Sequence, residues 1–142
     1  MFATKRRRDE ALARMRSVAL FESCSDVTLG RLANLCCELP FQAGATILDE
    51  RAPGSEFFVI IKGLATASTA GRPLATLGPH DFFGESGRLI QPARRLTVVA
   101  KTAVQALAFY PHQFSQLLEA APEVEQELLQ SAGREKRFNA RL

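Results

Sequence analysis

One stretch of the chain gathers residue types that chemistry can use. Phe82 to Arg95 reads FFGESGRLIQPARR. Gly84 permits a close backbone approach, the acidic Glu85 follows it, and Ser86 to Ile90 suits a turn of helix. Arg94 and Arg95 close the stretch. Free amides at a helix start attract an anion, and a guanidinium forms a charge-assisted fork with phosphate. A carboxylate only accepts hydrogen bonds, for instance from sugar hydroxyls. Together these groups suit a sugar phosphate. The same residues equally describe a capped helical turn carrying a Glu85–Arg94 surface ion pair.

The elements that would position this stretch have to come from the rest of the chain. With 142 residues and 46% hydrophobic composition, there is enough apolar surface for one domain, 1–142, with its own core. The net charge is +3, and much of the basic excess lies in Lys5 to Arg8 and Arg134 to Arg141. Charge gathered at the two ends reads as solvated rather than as a nucleic-acid or membrane-binding face. No apolar run approaches the roughly 20 residues of a membrane helix, and the N-terminus lacks the apolar core of a signal peptide. The expected location is cytoplasmic, with no nucleic-acid partner and no membrane insertion. Cys24, Cys36 and Cys37 form no C-x-x-C, so reduced structural thiols are expected, with no metal and no cofactor.

Helices are expected at both ends of the chain, over about 8–37 and 111–140. Arg8 to Ala19 carries Leu12, Met15 and Ala19 at helical spacing. Ser25 suits an N-cap, followed by a stripe of Leu29, Leu32, Ala33 and Cys36 that places Cys36 in the core. Pro111 suits the first turn of a helix with Phe114, Leu117 and Leu118, and Pro122 starts another with Val124, Leu128 and Leu129. Gly133 ends or loosens that last helix. Between them, about 40–110, lie short apolar runs: Thr46–Leu48, Phe57–Ile61, Leu64–Ser68, Leu74–Leu77, Leu96–Ala100 and Val104–Phe109. Gly44, Gly54, Gly63, Gly71 and Gly78 mark corners. The fold class is therefore mainly β with flanking helices, a roll rather than a parallel sheet.

Several ordered motifs then resemble the cyclic nucleotide-binding domain family of kinase regulatory subunits, catabolite activators and cyclic nucleotide-gated channels. They are Leu20-Phe21, Phe41-x-x-Gly44-x-x-Ile47, Pro53-Gly54-x-x-Phe57-Phe58-Val59-Ile60-x-x-Gly63, Leu77-Gly78-Pro79-x-Asp81-Phe82-Phe83-Gly84-Glu85 and Arg94-x-x-Thr97-Val98-x-Ala100. The resemblance runs from about Leu20 to Leu129. It implies a jelly-roll-like β-roll, or double-stranded β-helix, with a phosphate-binding cassette from Gly84 to Thr97. By that resemblance Glu85 accepts from the ribose 2′-hydroxyl and Arg94 pairs with the cyclic phosphate. Backbone amides of Gly84, Ser86, Gly87 and Arg95 complete the ligand set, and Thr97 closes the cassette. The implied ligand is cAMP or cGMP, with cAMP favoured. The implied role is a regulatory module that moves its C-terminal helices, acting on a protein partner or fused effector, and not an enzyme. Leu128, Leu129 and Phe138 are the lid candidates.

This chain also departs from the family pattern. Arg88 stands where the pattern has an aliphatic residue, and Arg95 and Leu96 where it has small ones. Arg88 either points to solvent or adds a ligand contact. Taking Arg95 as the phosphate arginine instead puts Thr97, Val98 and Ala100 out of register. Arg51 and His80 replace corner glycines, which strains a positive φ unless the turn changes type. A scaffold that keeps the roll but binds no nucleotide is the alternative. More remote is a cupin-like metal enzyme using His80, Asp81 and Glu85.

Overall fold

The computed structural model describes residues 2–51, 56–84 and 96–130. Pro53, Gly54, Gly133 and Phe138 lie outside them. The chain falls into two units, one of β-structure over Cys36–His112 and one of helices drawn from Met1–Leu35 and Gln113–Leu142.

The β unit contains β1 (Cys37–Phe41), β2 (Thr46–Leu48), β3 (Phe57–Lys62), β4 (Ala65–Thr69), β5 (Arg72–Leu77), β6 (Phe82–Phe83), β7 (Thr97–Ala100) and β8 (Val104–Phe109). They form two four-stranded sheets, ordered β1-β8-β3-β6 and β2-β7-β4-β5. Every pairing between described strands is antiparallel. The architecture is the expected β-roll, mainly antiparallel sheet with helices before and after it in sequence.

Residue pattern explains which strands are central. In β3, Phe57, Phe58, Val59 and Ile60 are all buried, and β8 buries Leu107, Ala108 and Phe109 in succession. Such unbroken apolar runs fit strands covered on both faces. In β4 and β7 burial alternates, so one face of the second sheet turns inward. Between the sheets, Phe58, Ile60 and Phe83 pack among the small side chains Ala65, Ala67, Ala100, Ala106 and Ala108. Large residues facing small ones let the layers interdigitate at interior density. Phe57, Phe82 and Phe109 meet on the other face of the first sheet, with ring centroids 5.9–6.0 Å apart.

Two strands depart from expectation. Expectation began the β region near Phe41 and kept Cys36 on a helix, whereas β1 starts at Cys37 and Cys36 is a half-buried linker. Asn34 ends the helix before it, so the stripe of Leu29 and Leu32 does not extend to Cys36. β6 is too short to show any periodicity. The replaced corner glycines behave differently from each other. Gly78-Pro79-His80-Asp81 closes with Asp81 N–H donating to Gly78 C=O at 3.0 Å, and His80 sits at φ +77. These are the marks of a type II turn, with proline second and the left-handed residue third. Arg51 is absent from the positive-φ residues, so only that corner changes type.

In the helical unit, α1 runs Phe2–Ser17, a 3-10 turn follows at Ala19–Phe21, α2 runs Asp26–Ala33 and α3 runs Pro111–Ala120. A further helical run covers 122–130. Ser25 caps α2 as expected, its hydroxyl accepting from Thr28 N–H at 3.2 Å. α1 stops at Ser17, so Val18 rather than Ala19 joins Met15 in the core, and Ala19 is exposed. Leu128 is fully buried while Leu129 is 45% exposed, which separates two residues expected to share a stripe.

Candidate functional site

Glu85, Ser86, Gly87, Arg88, Arg94 and Arg95 lie outside the described residues. The two ends from which that stretch departs, Gly84 and Leu96-Thr97, are described, and each is tied down by specific contacts.

At the first end, β6 is pinned to β3 by the pairings Phe58↔Phe83 and Val59↔Phe82. The Phe58 and Phe83 rings stack at 5.2 Å. Immediately upstream, Ile60 N–H donates to Asp81 C=O and His80 N–H to Ile60 C=O, each at 2.8 Å. The Asp81 carboxylate accepts from Gly78 N–H at 2.7 Å, closing the turn that feeds β6. Gly84 follows at φ +98, and a Cβ there would overlap the Glu56 carbonyl oxygen. Its lack of a side chain is therefore required by the protein's own backbone, independently of anything its amide does for a ligand. Glu85 is the next residue.

At the second end, Leu96 packs half-buried against the inter-sheet core. Thr97 opens β7, which lies between β2 and β4. Its hydroxyl accepts from Glu50 N–H at 3.2 Å, and the residue pairs with Ser68 of β4. The stretch 85–95 thus joins the edge strand of one sheet to an inner strand of the other.

A cavity of about 320 Å³ has walls that include Phe41, Leu48, Asp49, Glu56, Phe58 and Tyr110, three of which contact residues at or next to the two ends. Glu56 seats Gly84, Phe58 stacks on Phe83, and Leu48 pairs with Val98. Its size falls within the range of small-molecule pockets, and its lining mixes apolar side chains with polar groups. Such walls recognise by shape and hydrogen bonding. Sequence reasoning passed over these wall residues, because no spacing marks residues that converge from β1, β2, β3 and the end of β8.

The remaining candidates for chemistry do not converge on this cavity. Burial, then the neighbouring Cys37 and Glu38, pushes the Cys36 thiol up to about 12. A thiol so disposed stays protonated and is a poor nucleophile. Among the described residues, no three His, Cys, Asp or Glu side chains gather to hold a metal ion. His80 and Asp81 serve the turn before β6.

Comparison with known proteins bears on the same residues. The family model of the cyclic nucleotide-binding domain matches residues 38–121. A cyclic nucleotide-gated potassium channel of Rhizobium etli is 29% identical over 116 residues, covering 82% of this chain and 32% of the channel. A cAMP-dependent protein kinase regulatory subunit of Aspergillus fumigatus is 32% identical over 116 residues, covering 80% of this chain and 28% of the subunit. The chain therefore spans about a third or less of the length of these relatives. In structure it is similar to the regulatory domain of Toxoplasma gondii PKA, solved with cAMP. That match has a TM-score of 0.81 at 20% identity and covers 93% of this chain and 52% of the other. Because that family model matches residues 38–121, more than half of the chain, the chain belongs to the cyclic nucleotide-binding domain family.

Proposed function

We propose that this domain binds a cyclic nucleotide, cAMP ahead of cGMP, and serves as a regulatory module rather than an enzyme. The observation that carries the reading is that Gly84 and Leu96-Thr97 are both held by specific contacts, Gly84 against Glu56 of the cavity wall. Glu85 directly follows the first anchor, and Arg94 precedes the second by two residues. In this reading Glu85 accepts from the ribose hydroxyl and Arg94 pairs with the cyclic phosphate. Amides of Gly84, Ser86, Gly87 and Arg95 add donors. The preference for cAMP draws support from the Aspergillus kinase subunit and the Toxoplasma domain, whose descriptions name that nucleotide.

Output follows from chain connectivity. Tyr110 stands on the cavity wall and Pro111 begins α3, so a change at the cavity passes directly into the C-terminal helices. Their movement would act on a protein partner or on an effector in the same polypeptide, in the cytoplasm. Arg88 and Phe138 are the residues that would modify or cover the bound nucleotide.

Calorimetric titration with cAMP and cGMP tests this on the wild type, Glu85→Ala and Arg94→Ala. A charged hydrogen bond contributes roughly 1.5–3 kcal/mol, so losing Arg94 should weaken binding about tenfold or more. Absence of heat from the wild type with either nucleotide would overturn the proposal in favour of a nucleotide-free scaffold for protein contacts.

A further inference from the structure

A second cavity lies in the β unit, at the other end of β3. Its volume is about 700 Å³, within the range of small-molecule pockets. The cavity described above takes Glu56 and Phe58 from the start of β3, whereas this one takes Lys62 and Gly63 from its end, roughly 15 Å along the strand. Among the described residues, only Phe41 stands on both walls.

Three turns meet around this cavity and are bonded to one another. Leu64 N–H donates to the Thr102 hydroxyl at 3.0 Å, and Lys101 and Thr102 N–H donate to Leu64 C=O at 2.8 and 3.1 Å, which ties the β3–β4 turn to the β7–β8 turn. Gly44 N–H donates to Ala100 C=O at 2.7 Å and Ala100 N–H to Ala45 C=O at 2.8 Å, which ties the β1–β2 turn to the end of β7. The Ala103 carbonyl oxygen also lies where a Cβ of Gly63 would stand. Backbone held in this way needs little further ordering when a ligand enters.

Pro40, Phe41, Ala103 and Val104 make part of the wall apolar. Gln42 and Gln105 bring side-chain amides, and Lys62 is the one charged residue on the described wall. Lys62 lies opposite Gln105 in the strand register, and its side chain forms no hydrogen bond or ion pair among the described residues. Its methylene stem extends the apolar surface and its ammonium is left to donate to an anion. No carboxylate side chain stands on the described wall to take that ammonium. One cation complements one negative charge, and the apolar wall complements a hydrocarbon body.

We propose that this cavity binds a small amphipathic monocarboxylate, a medium-chain fatty acid being the simplest member of the class. The carboxylate pairs with Lys62, and the chain lies along Pro40, Phe41 and Ala103. The site is separate from the one proposed for a cyclic nucleotide and does not depend on it.

Calorimetric titration of the whole chain with octanoate, with no nucleotide present, is the test, and 1-octanol is the uncharged counterpart. Octanoate should bind with a Kd below about 1 mM. Lys62→Met keeps the apolar stem without the charge, and should weaken octanoate about fivefold while leaving octanol within about twofold. Gln105→Glu gives Lys62 a cross-strand carboxylate and should weaken octanoate by a similar factor. Both positions are exposed, so urea midpoints near wild type should confirm that the two variants fold. In proton–nitrogen correlation spectra octanoate should shift the amides of Gln42, Gly63 and Thr102 to Gln105, and leave those of Leu48, Glu56 and Tyr110 in place. No octanoate binding at 1 mM overturns the inference. So does binding that is indifferent to Lys62→Met, or a set of shifts centred on Leu48, Glu56 and Tyr110. None of these results bears on titration with cAMP or cGMP, so the two proposals fail separately.

Discussion

Replacing Gly84 by alanine isolates what holds the entrance of the central stretch. Two terms oppose an alanine there. The backbone sits at φ +98, where an L side chain costs about 1–3 kcal/mol. The added Cβ would also overlap the Glu56 carbonyl oxygen, which belongs to the backbone and cannot rotate away. Gly71 supplies the comparison, with φ +79 but nothing within 4 Å of a Cβ, so it carries the backbone term alone. Gly30 lies in α2 with open space around it and carries neither term. Gly30→Ala should stabilise by about 0.5–1 kcal/mol through helix propensity and unfolded-state entropy. Gly71→Ala should destabilise by about 1–2 kcal/mol and Gly84→Ala by about 3–5 kcal/mol, once repacking against Glu56 is added. At roughly 3 °C per kcal/mol for a domain of this size, Gly84→Ala should melt about 10 °C below wild type. Urea unfolding followed by circular dichroism gives the midpoints, and an unchanged slope confirms that stability alone has moved. A Gly84→Ala midpoint equal to that of Gly71→Ala would refute the close approach to Glu56.

Three further outcomes follow from contacts elsewhere. Phe58→Ala removes a ring that stacks on Phe83 and meets Phe41 edge-on at 6.2 Å, and should cost about 3–5 kcal/mol in urea unfolding, with Phe58→Leu recovering much of it. Ser25→Ala deletes the cap on Thr28 N–H and should cost about 1 kcal/mol, whereas Ser25→Asp should hold stability near wild type. The Cys24 thiol is pushed from near 9 up to about 12, first by burial and then by its hydrogen bond to Glu123. The folded state therefore keeps a proton that the unfolded chain releases near pH 9. That stabilisation is complete below pH 9 and is lost as pH rises towards 12, so the urea midpoint should fall over that window. Cys24→Ala should flatten part of the fall, and the remainder should respond to Cys36, whose thiol is shifted the same way.

How far the fold was legible depended on how the apolar residues are arranged. β3 and β8 announce themselves because central strands concentrate apolar side chains, and Phe57–Ile60 and Ala106–Phe109 do so without a break. β1 does not, because its residues are exposed or half-buried and Pro40 interrupts the run. β6 consists of two residues whose strand character exists only through their partners Phe58 and Val59. The overreach of the helical stripe to Cys36 has a similar cause. Periodicity continues through a sequence after the chain has turned, and here Asn34 ends the helix first.

For the site, the order of motifs led us to read Gly84, Glu85, Arg94 and Thr97 as one unit by resemblance, since residue type and spacing survive in a linear string. The contacts that hold the unit's ends were not legible. Glu56 lies 28 positions from Gly84 and Glu50 lies 47 positions from Thr97, and no local pattern links residues so far apart. Sequence alone set out the residue types on offer, an acid and an arginine in one short glycine-containing stretch. The tertiary structure decided where the unit's two ends are fixed, because only pairing between distant strands brings Glu56 under Gly84 and Glu50 against Thr97.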